Sequence, residues 1–299
     1  MNVKLTLGIY GLEHFHGGDM RAVIDLVGQA EAMGYDQMNI TDHVVMGENT
    51  HRYPYGEFPT APDANWWEPV VIMSAIAAAT RTIRLGTGIL IGPLRSAVLL
   101  AKQAATLDAL SGGRLDLGLG TGWQREEYEA SGIPFEDRGQ RLRDQVAACK
   151  VLWRDAPANF SSETTRFENI YCRPAPVQPG GVPLWFGLAP TDANRRLIVE
   201  HGVGWLPIFN DPQQLRAPIA QLREEFAAAG RDSDELQVRA TLNVAYRADG
   251  SADIDASLAN AEAQVAAGVT QIEMLPVALT RKPEEIVPVM QTVAQALKS

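Results

Sequence analysis

The chain has 299 residues, 46% hydrophobic and 21% charged, with a formal net charge of −10 and a pI near 5.0. That length is enough for one large α/β domain with a full core. The acidic balance excludes a general binder of nucleic acid or of anionic membranes, so an anionic ligand would need a local cluster of donors. Cys149 and Cys172 are the only two cysteines, one in a helical stretch and one in an irregular one, and they read as free thiols. The N-terminus has no charged segment leading into an apolar one, and no apolar run approaches membrane-spanning length. The expectation is a cytoplasmic protein.

Val3 to Ile9 alternates and is β-rich, a first strand. Asp19 or a neighbour caps a helix from Met20 to Ala32 that Gly34 closes, and Gln37 to Thr41 is a second strand ending at Asp42-His43. The loop from Val44 to Asn65 is polar and aromatic, and too long for a plain connector. An alanine-rich helix from Trp66 to Thr80 leads to a third strand broken by Gly86 and Gly88. Ser96 to Leu110 carries Val98, Leu99, Ala101, Thr106, Leu107 and Leu110 on or near one helical stripe, with Gly112 as the stop. A fourth strand from Arg114 to Leu119 ends in Gly120-Thr121-Gly122-Trp123, and its helix runs to about Trp153.

Residues 155–183 break the rhythm with Pro and Gly and read as an insertion with a small hairpin around Thr164. The alternation resumes with strands at Leu184 to Phe186, Val203 to Leu206, Gln237 to Val244 and Gln271 to Leu275. Their helices are Thr191 to Glu200, Asp211 to Ala229, Ser251 to Ala267 and Glu284 to Leu297. Eight strands alternating with eight helices predict an α/β protein, a single (β/α)8 TIM barrel over residues 1–299; a doubly wound open sheet is the alternative. In such barrels the chemistry lies on loops at the strand C-termini.

Those loops contain several candidates. His14-x-His16 follows the first strand, where metal-dependent barrel hydrolases keep two ligands, but the matching ligands on strands five, six and eight are missing. No metal is expected. His43, at a strand C-terminus, can exchange a proton with a substrate hydroxyl, and Asp42 can orient it or bind a cofactor hydroxyl. A histidine there can equally satisfy a backbone carbonyl. Gly187-Leu188-Ala189 precedes a helix whose N-terminus is a natural anion site. Arg95 and Arg125 could meet an acidic ligand, Asp108 and Arg114 read as a helix–strand latch, and Trp66, Trp67, Tyr53 and Tyr55 could wall a pocket.

The ordered pieces LGTGILIGPLR, LLAKQAATLDALSGGRLDLGLGTGW and the following Glu-Glu resemble the luciferase-like superfamily of flavin and deazaflavin oxidoreductases. They look closest to its branch using the deazaflavin coenzyme F420. The resemblance covers nearly the whole chain and is most specific from Ala101 to Trp123. It implies F420-dependent redox chemistry, a hydride moving between the ring and a small organic substrate while His43 donates or accepts the proton. It places Asp42 at the active site and makes Gly88–Ile89, after Thr87, a non-proline cis peptide backing the ring. It sets Gly120, Thr121, Gly122 and Trp123 against the ribityl chain and phosphate, and Gly187, Leu188 and Ala189 at the phosphate. Many relatives have Gly-Gly where this chain has Gly187-Leu188; Arg195 and Arg196 match the family's arginine pair. An FMN-dependent monooxygenase served by a separate flavin-reducing enzyme, and a non-catalytic flavin-binding barrel, are the other readings. A homodimer fits the resemblance as well.

Overall fold

The computed structural model describes residues 3–298. Its strands are, in chain order, β1 Lys4–Gly8, β2 Gln37–Ile40, β3 Arg84–Thr87, β4 Leu90–Ile91, β5 Leu115–Gly120, β6 Ala158–Ser161 and β7 Arg166–Ile170. There follow β8 Leu184–Phe186, β9 Gly204–Trp205, β10 Gln237–Thr241, β11 Ala245–Tyr246, β12 Ala252–Asp253 and β13 Gln271–Met274. One sheet has the order β3-β2-β1-β13-β10-β9-β8-β5-β4, and a further β3–β5 pairing closes it. β3 and β4 are two halves of one strand interrupted at Gly88-Ile89, so the closed sheet counts eight strands with helices between them. This is a (β/α)8 barrel, not a doubly wound open sheet. Among the described residues no helix is long and apolar enough to cross a membrane.

The chain divides into two compact units: the residues up to Ile40 with Ala78–Gly86 and everything from Trp185 on, and Thr41–Ala77 with Thr87–Leu184. In the first unit β1 pairs in parallel with β2 and β13, and β13 with β10. Alternate residues of these strands form a polar interior. Arg239 donates through Nη1 to Gln37 Oε1 and through Nη2 to Asn39 Oδ1 at 2.9 Å, and Asn39 Nδ2 donates to Glu273 Oε1 at 2.6 Å. Gly86 belongs to this arrangement, because a Cβ there would lie 2.8 Å from Arg239 Nη1 and 3.1 Å from the Met38 carbonyl oxygen. The glycine that loosens the third strand in sequence is thus the one that admits a buried guanidinium.

Several element ends move from their predicted places for local reasons. The helix expected from Trp66 begins at Pro69, since proline suits a first helical turn and disfavours helix before it. The strand expected to reach Val244 stops at Thr241, and the helix expected from Ser251 starts at Ile254. Between them β11 and β12 pair antiparallel, and Asp253 caps the helix by accepting from the Ala256 amide.

In the second unit the helix Ala97–Ser111 starts at Ser96, which accepts from the Leu99 amide, and ends at Gly112 with φ 69°. Its buried face coincides with the predicted stripe only at Ala101 and Leu107: Val98, Leu99, Thr106 and Leu110 are exposed, while Ala97, Leu100, Ala104 and Ala105 complete the buried face. Small residues win because they allow close approach of the helix Arg138–Arg154, whose Cys149 Sγ and Trp153 Nε1 donate to the carbonyls of Ala97 and Ala101. Asp108 accepts from the Val177 and Gln178 amides and from Gln178 Nε2, and Arg114 donates to the Ser111 and Ala77 carbonyls. β6 and β7 form an antiparallel hairpin spanning Thr164. Cys149 and Cys172 are both buried and unbonded to each other, and burial pushes the Cys149 thiol up, so it stays protonated.

One carboxylate ties the end of the first helix to the start of β3. Glu31 accepts from the amides of Arg81, Thr82 and Ile83 and from the Thr82 hydroxyl. Burial opposes its ionisation, but these four donors outweigh it and lower its pKa to about 2. A lowered carboxyl pKa stabilises the fold above the unfolded value near 4.5, and that contribution is lost as the pH falls towards 2. Glu31→Gln should cost about 1–2 kcal/mol at neutral pH, discounted for solvent access. Urea unfolding of both proteins at pH 7 and pH 3 should show the gap narrowing at the lower pH.

Candidate active site

β2 ends at Ile40, and the chain leaves it through Thr41, Asp42 and His43. The Asp42 side chain turns inward. Its Oδ2 accepts from the Ile91 amide at 2.8 Å and from Arg95 Nη1 at 2.7 Å, and its Oδ1 from Arg95 Nη2 at 3.1 Å. Arg95 also reaches Glu68 Oε1 at 3.1 Å. Burial works against the guanidinium charge, but the bonds to Asp42 and Glu68 prevail and raise the Arg95 pKa. Asp42 and Arg95 are therefore a buried bidentate pair that fixes the start of β4.

His43 sits beside this brace and is 9% exposed. Its Nδ1 lies 3.1 Å from Glu127 Oε2, and the other oxygen of Glu127 accepts from the Val44 amide at 2.6 Å. Glu127 is fully buried, on the short helix Arg125–Ala130. An ionised carboxylate can only accept, so facing one Nδ1 carries the proton and Nε2 of the neutral ring is bare. The same helix end holds the loop after His43: Gln124 exchanges hydrogen bonds with both backbone groups of Gly47, and Asn49 donates to Glu126. Glycine is required at 47, since a Cβ would stand 2.8 Å from that of Glu126. The sequence reading gave Glu127 no role of its own, only a place in the Glu-Glu pair of the family motif. Two adjacent carboxylates after an arginine look like an exposed first turn of a helix.

Aromatic rings cover His43. Its ring meets Trp66 edge-on at 4.5 Å, Phe58 at 5.8 Å and Trp123 at 6.2 Å between centroids. Tyr53 joins Phe58 and Trp123 at 5.2 and 5.3 Å. Burial, with Tyr55 alongside, pushes the Tyr53 phenol up and keeps it neutral.

The same unit holds the ends of β3 and β5. The Gly88–Ile89 peptide is cis. Thr87 is fully buried, its hydroxyl donating to the Gly118 carbonyl and accepting from the Gly118 amide, so it joins two strands. Gly120 pairs with Ile91 in register, and Thr121 presents its carbonyl to the Tyr128 hydroxyl. Gly122 has φ 64°, and a Cβ would meet Ile91 Cγ2 at 3.0 Å. Asp42, His43, Thr87, Gly88, Ile89 and Gly120 to Trp123 are thus gathered in one unit. Arg125 pairs with Glu136 and stacks on Phe135.

Gly187, Leu188 and Ala189 belong to the other unit. Leu188 is buried, and its carbonyl accepts from Trp205 Nε1 at 2.9 Å. The helix Asp192–His201 begins with Thr191 accepting from the Asn194 amide. Its Arg195 is tied to Glu225, Asp192 and the Pro190 carbonyl, and Arg196 Nε donates to the Asp192 carbonyl. His14, with its side chain 60% exposed, has the adjacent Glu13 as its partner. Among the described residues no group of three or more His, Cys, Asp or Glu is placed to hold a metal ion.

Residues 7–285 match the family described as luciferase-like monooxygenase. The chain belongs to that family. This luciferase-like chain is 28% identical over 238 residues to an F420-dependent glucose-6-phosphate dehydrogenase of Mycolicibacterium smegmatis, covering 77% of this chain and 66% of that protein. It is 31% identical over 182 residues to the oxygenase component of a flavin-dependent trigonelline monooxygenase of Acinetobacter baylyi, covering 58% of this chain and 48% of the relative. Its fold matches the crystal structure of monooxygenase RslO1 from Streptomyces bottropensis with a TM-score of 0.78 and 22% identity over 98% of each chain. The relatives of this luciferase-like chain thus include F420-dependent oxidoreductases and flavin-dependent monooxygenases.

Asp42→Ala should cost about 3–5 kcal/mol in chemical denaturation, because it strips a buried arginine of its main partner. Glu68→Ala, which removes a carboxylate whose side chain is 41% exposed, should cost about 1 kcal/mol or less. Equal effects would contradict the brace.

Proposed function

We propose that this chain is an F420-dependent oxidoreductase that moves a hydride between the deazaflavin ring and a small organic substrate, with His43 as proton donor or acceptor. The observation that carries the reading is the buried His43–Glu127 pair. It lies on the same unit as Gly88, Ile89 and Gly120 to Trp123. The aromatic rings over His43 shield the pair from water, as proton handling beside a bound redox ring would need.

F420, when bound, supplies a two-electron hydride donor or acceptor. The protein's part is proton handling and position. In alcohol oxidation Nε2 of His43 takes the hydroxyl proton as the carbinol carbon gives up its hydride; in carbonyl reduction the imidazolium returns it to the new alkoxide. Glu127 stabilises the charged ring in either direction without leaving its own bonds. The flavin-dependent relative supports a second reading, an FMN monooxygenase that needs a separate reductase.

Titration of the purified protein with F420 and separately with FMN, read by fluorescence, tests the choice. F420 should bind at least about ten-fold more tightly, a difference of about 1.4 kcal/mol. His43→Ala should keep that affinity while losing on the order of 10²–10⁴ in turnover, the usual worth of a general acid–base. Preference for FMN, or binding of neither, would overturn the F420 assignment.

A further inference from the structure

We infer that the site above His43 takes a substrate with a planar aromatic body and a carbonyl or hydroxyl oxygen that accepts a hydrogen bond from Trp123. The inference rests on the reading of His43 as the proton-exchanging residue and adds the substrate class. Phe58, Trp66 and Trp123 meet the imidazole edge-on and Tyr53 packs on Phe58 and Trp123, yet each ring is only half-buried, unlike the rings of the barrel core such as Trp205 and Phe186. Half-buried rings clustered over the buried His43–Glu127 pair form a ligand-facing surface rather than a packed core.

The geometry selects the kind of ligand. Each edge-to-face or tilted contact occupies at most one π face of a ring, and the surface these half-buried rings keep favours another aromatic ring over a saturated ring of equal size. Trp123 supplies the directional contact. Its indole Nε1 is shielded from solvent and has no hydrogen-bond partner among the described residues. A buried donor of this kind is satisfied by an acceptor on the ligand. Trp123 lies 6.2 Å from His43 between ring centroids, so one oxygen-bearing aromatic molecule can address both residues. The loop offers no cation to this cluster: Arg52, its only arginine or lysine, pairs outward with Glu126, which argues for a neutral ligand.

Calorimetric titration with acetophenone and with cyclohexyl methyl ketone, on the cofactor-free protein and again with whichever cofactor it binds, tests this. Acetophenone should bind about ten-fold more tightly. Trp123→Phe keeps a ring but removes the N–H and should weaken acetophenone about five-fold. Phe58→Leu, which keeps apolar bulk, should narrow the gap between the two ketones. Equal affinity for the ketones, binding of neither, or no effect of Trp123→Phe would overturn the proposal. Acetophenone binding by a protein that takes neither F420 nor FMN would sink the redox reading and leave this one standing; cofactor binding with no ketone preference would do the reverse.

Discussion

The bond between His43 Nδ1 and Glu127 Oε2 is the interaction on which the site depends. A fully buried carboxylate is costly unless its oxygens are used, and Glu127 uses both, one on the imidazole and one on the Val44 amide. That single side chain therefore sets the tautomer of the ring and the direction in which the chain leaves it. Gln124 and Glu126, just before it in the chain, secure Gly47 and Asn49, so the start of the long loop is held by one short helix and its N-cap. Removing the carboxylate would leave a ring nitrogen and a backbone amide without acceptors, and the loop would lose its anchor together with the chemistry.

Asp42 and His43 are adjacent in sequence but serve different ends. Asp42 binds Arg95 and the Ile91 amide, so its role is to fix the strand that resumes after the Gly88–Ile89 peptide. His43 is then presented by a backbone clamped from two sides. The other unit shows the same economy of means, with Arg239 locked by Gln37 and Asn39 and admitted by Gly86. In each unit a buried arginine is made tolerable by acceptors from neighbouring segments, and Arg239 also by the absence of a side chain at Gly86.

The alternation of strands and helices was legible because periodicity, caps such as the one near Asp19, and glycine stops act over a few residues. The buried face of Ala97–Ser111 was not, since a helix apolar nearly all round carries little directional signal and the choice fell to alanines that fit a partner helix. His43 was legible from its place at a strand end. Glu127 was not, because its partner lies 84 positions earlier and nothing in a run of charges marks which member turns inward. For the same reason Asp42 could be read as a ligand for a cofactor when its partner, Arg95, stands 53 positions away. Long-range pairing of charges is fixed by the fold and is invisible to local pattern.

The central claim is that Glu127 holds His43 with its proton on Nδ1, leaving Nε2 for exchange. Nitrogen-15 NMR of histidine-labelled protein, with His43 assigned by comparison with His43→Gln, reads the tautomer directly. At a pH where the ring is neutral, the account predicts a protonated Nδ1 and an unprotonated Nε2 for His43. A proton on Nε2, with Nδ1 bare, would contradict it.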